Sequence, residues 1–243
     1  MNSLFQPFLR KFLLVFFDDI LIYNVNLEGH VNHLRQVLQT LRCNSLFARK
    51  SKCFFAVSKV EYLGHLISVK GVSTDPRKVE AMKNWPLPQT IKQLRGFLGL
   101  AGYYRRFVKG FGLIAKPLTD FLKKDNFLWN QEATKSFQQL KELLSNAPIL
   151  ALPDFSKVFI VEVDASGFGI GAILMQEHHP IAFISRMLNQ QQQSLSTYEK
   201  ELLAVVFIVQ RWRHYLLNMH FVVRTDHYSL KYLLDQRLSI VFQ

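Results

Sequence analysis

The chain has 243 residues, 49% of them apolar and 20% charged, and carries a net charge of +12. That balance describes a globular chain of two or three modules with real cores. The longest purely apolar run, Leu202 to Val209, falls far short of the roughly 20 residues that span a bilayer, and the short apolar stretch at 12–17 runs into acids without a small-residue cleavage site, so neither a membrane segment nor secretion is expected. Two cysteines, Cys43 and Cys53, lack the number and spacing of a disulfide framework or zinc site and fit a reducing, intracellular compartment, cytoplasmic or nuclear.

The first informative element is Leu13-Leu14-Val15-Phe16-Phe17-Asp18-Asp19, followed by Ile20-Leu21-Ile22-Tyr23. Two apolar runs with an acid pair between them predict a β-hairpin. An acid pair in apolar surroundings is costly unless something such as a metal ion offsets the charge, which makes Asp18 and Asp19 candidate metal ligands; the alternative is that Asp-Asp merely supplies turn chemistry. A helix follows over about 29–41, with Val31, Leu34, Val37, Leu38 and Leu41 at three- and four-residue steps, then a strand pair with arms at 52–57 and 60–67.

Charge is concentrated in the middle of the chain. Residues 73–124 hold eleven Lys/Arg against three Asp/Glu, compared with nine against four in 1–72, two against four in 125–154 and eight against seven in 155–243. A basic block with interleaved aromatics, as in Tyr103-Tyr104-Arg105-Arg106-Phe107, is the footprint of a polyanion-binding surface, the alternative being a solvated basic face. Within it, Asp75-Pro76 predicts a capped helix over 77–84, and Thr90 caps a second over about 91–108. Lys92, Gly96 and Leu100 share one face of that second helix. The lysine can reach phosphate and the glycine admits a close neighbour, either a nucleic-acid duplex or another helix at a tight crossing.

A third helix is expected over 131–144, with Phe137, Leu140 and Leu144 inward, and Ala147-Pro148 to Pro153-Asp154 reads as a linker. Beyond it the pattern becomes strands at 158–164, 169–176 and from 180, a polar loop at 190–193, a long amphipathic helix over 197–217, a strand at 221–226 and a further helix starting at 228. Tyr198, Leu202, Val205, Val209, Trp212 and Leu216 make the predicted apolar stripe of the long helix. Asp164 and Asp226 close two strands, and Glu201 lies at the stripe's edge, so strand ends and a covering helix can bring these three acids together. Converging carboxylates repel unless divalent cations sit among them, and hard oxygen ligands suit Mg²⁺ or Mn²⁺, an ion pair of which can serve phosphodiester cleavage. Each acid singly also reads as a turn or cap residue, and Glu162 and Glu199 are nearby substitutes.

Phe16-Phe17-Asp18-Asp19-Ile20-Leu21-Ile22-Tyr23 resembles the reverse transcriptase hairpin that carries two of three polymerase carboxylates. Val60-Glu61-Tyr62-Leu63-Gly64-His65, the run from Leu94 to Phe107, Val163-Asp164-Ala165-Ser166, the run from Thr197 to Val206, and Arg224-Thr225-Asp226-His227 are similar to stretches of gypsy-type retrotransposon Pol proteins, in the same order. The resemblance implies a mixed α/β and α+β fold: the C-terminal part of a palm at 1–72, a helical thumb at 73–125, a connection at 126–154 and an RNase H-like mixed-sheet domain at 155–243. It implies RNA-directed DNA synthesis and RNase H cleavage of RNA·DNA hybrids with Mg²⁺ or Mn²⁺. By it, Asp18 and Asp19 belong to the polymerase site and Asp164, Glu201 and Asp226 to the nuclease site. The face of Lys92, Gly96 and Leu100, with Arg105 and Arg106 nearby, would follow the minor groove of a hybrid or duplex, and other Pol segments would be partners.

Departures from the family pattern set two further expectations. The chain begins 17 residues before Asp18, so the fingers and third polymerase aspartate lie outside it, and this polypeptide alone is expected not to extend a primer. It ends soon after Asp226, leaving out a late metal-binding residue and a last helix, which puts its nuclease activity in question and leaves a catalytically dead nucleic-acid-binding remnant as the competing reading.

Overall fold

The computed structural model describes residues 1–9, 11–123, 127 and 129–226. The helix expected from 228 lies outside the described residues. The chain divides into two compact units, one over Met1–Val69 and a second beginning at Lys70. No helix among the described residues is long and apolar enough to cross a membrane.

In the first unit, β1 (Leu13–Phe16) and β2 (Asp19–Ile22) form an antiparallel hairpin in which Leu13 faces Ile22 and Phe16 faces Asp19. Helix α1 (Leu27–Cys43) starts at Asn26, whose side chain accepts from the Gly29 N–H at 2.8 Å. Phe5, Phe12, Leu13, Val37 and Leu41 make a small core between these elements. Strands β3 (Lys59–Tyr62) and β4 (His65–Ser68) form a second hairpin. Here the sequence expectation of one long arm over 60–67 fails, because Leu63 (φ 49°) and Gly64 (φ 66°) both turn left-handed and fold the arm back on itself. Leu63 hides the turn by continuing the apolar pattern, and the expected partner arm is irregular apart from one 3₁₀ turn at Lys50–Lys52.

The second unit opens with β5 (Gly71–Thr74) and α2 (Pro76–Lys83), where Asp75 accepts from the Arg77 N–H at 2.9 Å and proline occupies the first helical position. Helix α3 (Ile91–Tyr103) is capped by Thr90 and stops short of the expected 108. Glycines at 99 and 102 weaken its last turns, and a 3₁₀ turn at Arg105–Phe107 carries Phe107 and Val108 into the core. Short helices α4 (Phe111–Ile114) and α5 (Lys116–Asp120) lead to α6 (Gln131–Ser145), whose Phe137, Leu140 and Leu144 are buried as the pattern predicts. Leu94, Phe97, Ala101 and Tyr104 meet that face.

Residues 147–154 are tied down on both sides rather than acting as a free linker. Val72 and Leu150 exchange two backbone hydrogen bonds of 2.8 Å, Ala151 donates to the Pro180 carbonyl at 2.7 Å, and Leu150 is fully buried. A central sheet follows, with β6 (Phe159–Ala165), β7 (Gly169–Gln176), β8 (His179–Met187) and β9 (Phe221–Arg224) in the order β8-β7-β6-β9. β6, β7 and β8 form an antiparallel meander, while β9 lies parallel to β6 and so requires a crossover. The polar tract forms α7 (Gln190–Gln193) because Asn189 and Gln192 make a reciprocal capping box. The crossover is α8 (Thr197–Arg211), which breaks at Trp212 before α9 (Arg213–Leu216). Its buried face is Glu201, Leu202, Ala204 and Ile208, so the stripe is rotated from the predicted one and Glu201 lies within it rather than at its edge.

The tie between Val72 and Leu150 makes Gly71 a sensitive position. Its φ is +123°, and a Cβ there would stand 2.2 Å from the Leu150 carbonyl oxygen. Gly71→Ala is expected to lower stability in urea unfolding by about 2–4 kcal/mol, whereas Gly99→Ala, with open space around it, gains about 0.5–1 kcal/mol.

Candidate nucleic-acid and carboxylate sites

The hairpin of β1 and β2 projects its acids into water. Phe17 and Asp18 form its two-residue turn, Asp19 opens β2, and both acids are exposed, at the turn where the sequence placed them. Phe17 holds φ 52°, a conformation that a bulky side chain adopts only when its surroundings enforce it, and its 78% exposed ring meets Phe16 edge-on at 4.8 Å. Tyr62 lies in the same unit, and burial first, then the Asp19 charge, raise its pKa.

Helix α3 separates an apolar inner face from a basic, glycine-bearing outer one. Lys92 and Gly96 are exposed and Leu100 is half-buried. A Cβ at Gly96 would meet the Trp85 ring at 3.4 Å, an ordinary contact, and one at Gly99 or Gly102 would meet nothing within 4 Å. A tight helix crossing therefore does not explain these glycines, each of which weakens a helix interior by about 1 kcal/mol relative to alanine. Arg105 is exposed, but Arg106 turns inward, where its Nη2 donates to the Ile181 carbonyl at 3.4 Å.

Glu201 links the two chain segments that carry the other acids of the second unit. Strand β6 delivers Asp164, β9 leads through Thr225 to Asp226, and α8 packs Glu201 against the ends of both strands. Glu201 is 2% exposed, while Asp164 and Asp226 are exposed. One Glu201 oxygen accepts the Ala165 N–H at 3.2 Å and the other accepts the Thr225 hydroxyl at 3.1 Å, so its partners adjoin Asp164 and Asp226 in sequence. Burial chiefly raises the Glu201 pKa; the two hydrogen bonds oppose that, and the charges of Asp226 and Asp164 add to it. The substitutes are engaged elsewhere: Glu162 pairs with Arg224 at 3.4 Å on the exposed sheet face, and Glu199 caps its own helix through Ser196 at 2.7 Å. Thr225 is given no role by the sequence; its signal there is its place beside Asp226 in the stretch Arg224-Thr225-Asp226-His227.

The donor set is one of hard carboxylate oxygens, with one acid held buried against the charges of two others, and that chemistry fits a divalent cation. Among the described residues, no three acidic, histidine or cysteine side chains are grouped closely enough to hold an ion as they stand.

Residues 1–67 match the reverse transcriptase (RNA-dependent DNA polymerase) family, and residues 129–223 match the RNase H-like domain found in reverse transcriptase. The chain is retrotransposon Pol sequence. It is 42% identical over 235 residues to the retrovirus-related Pol polyprotein from transposon 297 of Drosophila melanogaster, covering 96% of this chain and 22% of that protein. Against the Pol polyprotein from transposon gypsy of the same organism it is 36% identical, covering 98% and 24%. Against the transposon Tf2-3 polyprotein of Schizosaccharomyces pombe it is 33% identical, covering 94% and 18%. This chain thus spans a quarter or less of these relatives. In fold it is similar to the foamy viral protease-reverse transcriptase solved with RNA/DNA hybrid, at a TM-score of 0.86 and 22% identity over 99% of this chain and 34% of that one. A dRH form of that protein solved with double-stranded DNA gives 0.86 and 22% over 98% and 42%. Both matching families depend on divalent metal.

Glu201 ties this Pol segment's acid cluster to its stability. Because the folded state holds the Glu201 proton to higher pH than the unfolded chain, ionising it costs stability as pH rises from about 4.3 through the raised folded value. Glu201→Gln keeps both hydrogen bonds, its amide donating to the Thr225 hydroxyl. In chelator at pH 7 it is expected to unfold at a higher temperature than wild type, with the difference closing below about pH 4. Equal melting temperatures at pH 7 would contradict a Glu201 pKa raised chiefly by burial.

Proposed function

We propose that the second unit cleaves the RNA strand of an RNA·DNA hybrid and that the outer face of α3 holds the duplex. The observation that carries this is the buried Glu201, hydrogen-bonded to Ala165 at the end of β6, next to Asp164, and to Thr225 just past β9, next to Asp226. Asp164, Glu201 and Asp226 would hold Mg²⁺ or Mn²⁺, which supplies activation of water and stabilisation of the leaving oxygen in phosphodiester hydrolysis. The protein's part is to fix Glu201 in place through the Ala165 N–H and the Thr225 hydroxyl and to leave Asp164 and Asp226 accessible to solvent and substrate.

Lys92 supplies a phosphate contact, and the glycines at 96, 99 and 102, which the fold itself does not require, allow a groove wall to approach the helix backbone. We assign 73–125 as the thumb that presents this face and 155 onward as the nuclease domain. The exposed Asp18–Asp19 hairpin supplies two polymerase carboxylates to a palm completed by other parts of Pol, with synthesis of DNA on RNA as the activity of that whole protein.

Binding without cleavage is the second reading, favoured by the absence, among the described residues, of three metal-binding side chains grouped as an ion site. A hybrid-cleavage assay in Mg²⁺ separates the two. Wild type is expected to cut the RNA strand and Asp164→Asn to lose at least about a hundredfold in rate. Equal cleavage by both proteins would remove Asp164 from the site, and hybrid binding with no cleavage by wild type would select the second reading.

A further inference from the structure

Beside the acid cluster, and separate from it, a cleft of about 670 Å³ opens within the second unit between the end of α3, strand β8 and the α8–α9 corner. Its lining includes Tyr103, Arg105, Arg106, Arg186, Arg211 and His214, and it includes no acidic residue. Four guanidiniums gathered around one cavity repel one another, and among the described residues none of the four meets a carboxylate. Two of them are fixed by the fold. Arg186 lies 4.5 Å from the Phe207 ring centroid and donates to the Gln192 amide oxygen at 3.1 Å. Arg106 donates to the Ile181 carbonyl, yet its Nε is buried with no hydrogen-bond partner. Guanidiniums without carboxylate partners in a cationic cleft are prepared for an anion, and arginine forks match phosphate oxygens two at a time.

We propose that this cleft binds single-stranded nucleic acid, with phosphates on Arg106, Arg186 and Arg211 and a base against Tyr103. The shape favours a strand over a duplex. The cleft is concave and has aromatic walls, Tyr103, Phe207 and Tyr215 among them, which is the combination that holds unpaired bases and their backbone; the outer face of α3 is open and glycine-lined instead. Tyr103 joins the two surfaces, because it is the last residue of α3 and is 46% exposed at the cleft mouth. Arg211 lies ten residues beyond Glu201 on α8, about 15 Å along the helix axis. A strand separated from a duplex on α3 therefore has a basic path leading away from the acid cluster. This assignment extends the duplex reading above and rests on it only for where the strand comes from.

The test measures the affinity of the full chain for a short fluorescent oligothymidylate and for a blunt-ended RNA·DNA hybrid across a range of salt. The exposed Arg211 is reversed in Arg211→Glu, alone and with Arg186→Gln, and circular dichroism establishes that each variant is folded. The double variant is expected to lower the preference for the oligothymidylate over the hybrid about tenfold and to flatten the single-strand salt slope by about 0.7 per arginine removed. Lys92→Ala, on the duplex face, is expected to shift the preference the other way. Loss of hybrid binding with oligothymidylate binding intact would contradict the duplex reading and leave the cleft supported. An unchanged preference, equal losses for both ligands, or tighter capture of a polyglutamate peptide than of the oligothymidylate would overturn the proposal.

Discussion

The arrangement of the second unit depends on one buried carboxylate. Glu201 sits in the face of α8 that packs on the sheet, beside Ala204 and Ile208, where an apolar side chain would serve stability better. Its two oxygens are instead taken up by a backbone N–H at the end of β6 and a hydroxyl just past β9. Those bonds register the crossover helix against the only parallel strand pair in the described sheet, and with it the positions of Asp164 and Asp226. A buried acid facing two further acids is a local conflict of the kind that folds retain at functional sites, and a divalent cation is the natural partner that resolves it.

A complementary constraint acts on α3. Its inner face is committed to Phe97, Ala101 and the aromatic core around Phe137, while its outer face forgoes the side chains that would strengthen a helix. Basic charge and missing side chains together describe a surface shaped for something outside the fold. The rigid core beneath, tied to the sheet region through the Val72–Leu150 bridge and the Ala151 hydrogen bond, holds that surface within the same compact unit as the acid cluster.

Much of this was legible in the residues. Capping signals at Asp75 and Thr90 mark helix starts because each supplies a side-chain acceptor for an otherwise unpaired N–H, whereas the cap at Asn26 escaped notice and that helix starts two residues earlier than expected; the mixed fold class is what the family resemblance implied. Asp164 falls at the end of β6 as its apolar run predicts, while the strand expected to close on Asp226 stops two residues short of it, at Arg224. What stayed hidden was set by geometry that no local pattern encodes. The left-handed pair Leu63–Gly64 looks like continued strand, and the 147–154 segment looks like a linker until its two sets of backbone partners are known. Arg106 reads as surface charge in a basic run, yet a 3₁₀ turn rotates it inward. The true buried stripe running from α8 into α9 keeps the predicted Leu202, Trp212 and Leu216 but takes in Glu201, Ala204 and Ile208 where an apolar reading favoured the half-buried Val205 and Val209.

The account stands or falls on whether Asp164, Glu201 and Asp226 act as one ion-binding group. Calorimetric titration of Mn²⁺ into the wild-type chain and into Asp164→Asn and Asp226→Asn variants tests this without relying on turnover. The prediction is a saturable site in wild type that weakens at least about tenfold in each variant, since each substitution removes a charged ligand. Identical affinity in all three proteins, or no saturable binding in wild type, would contradict it.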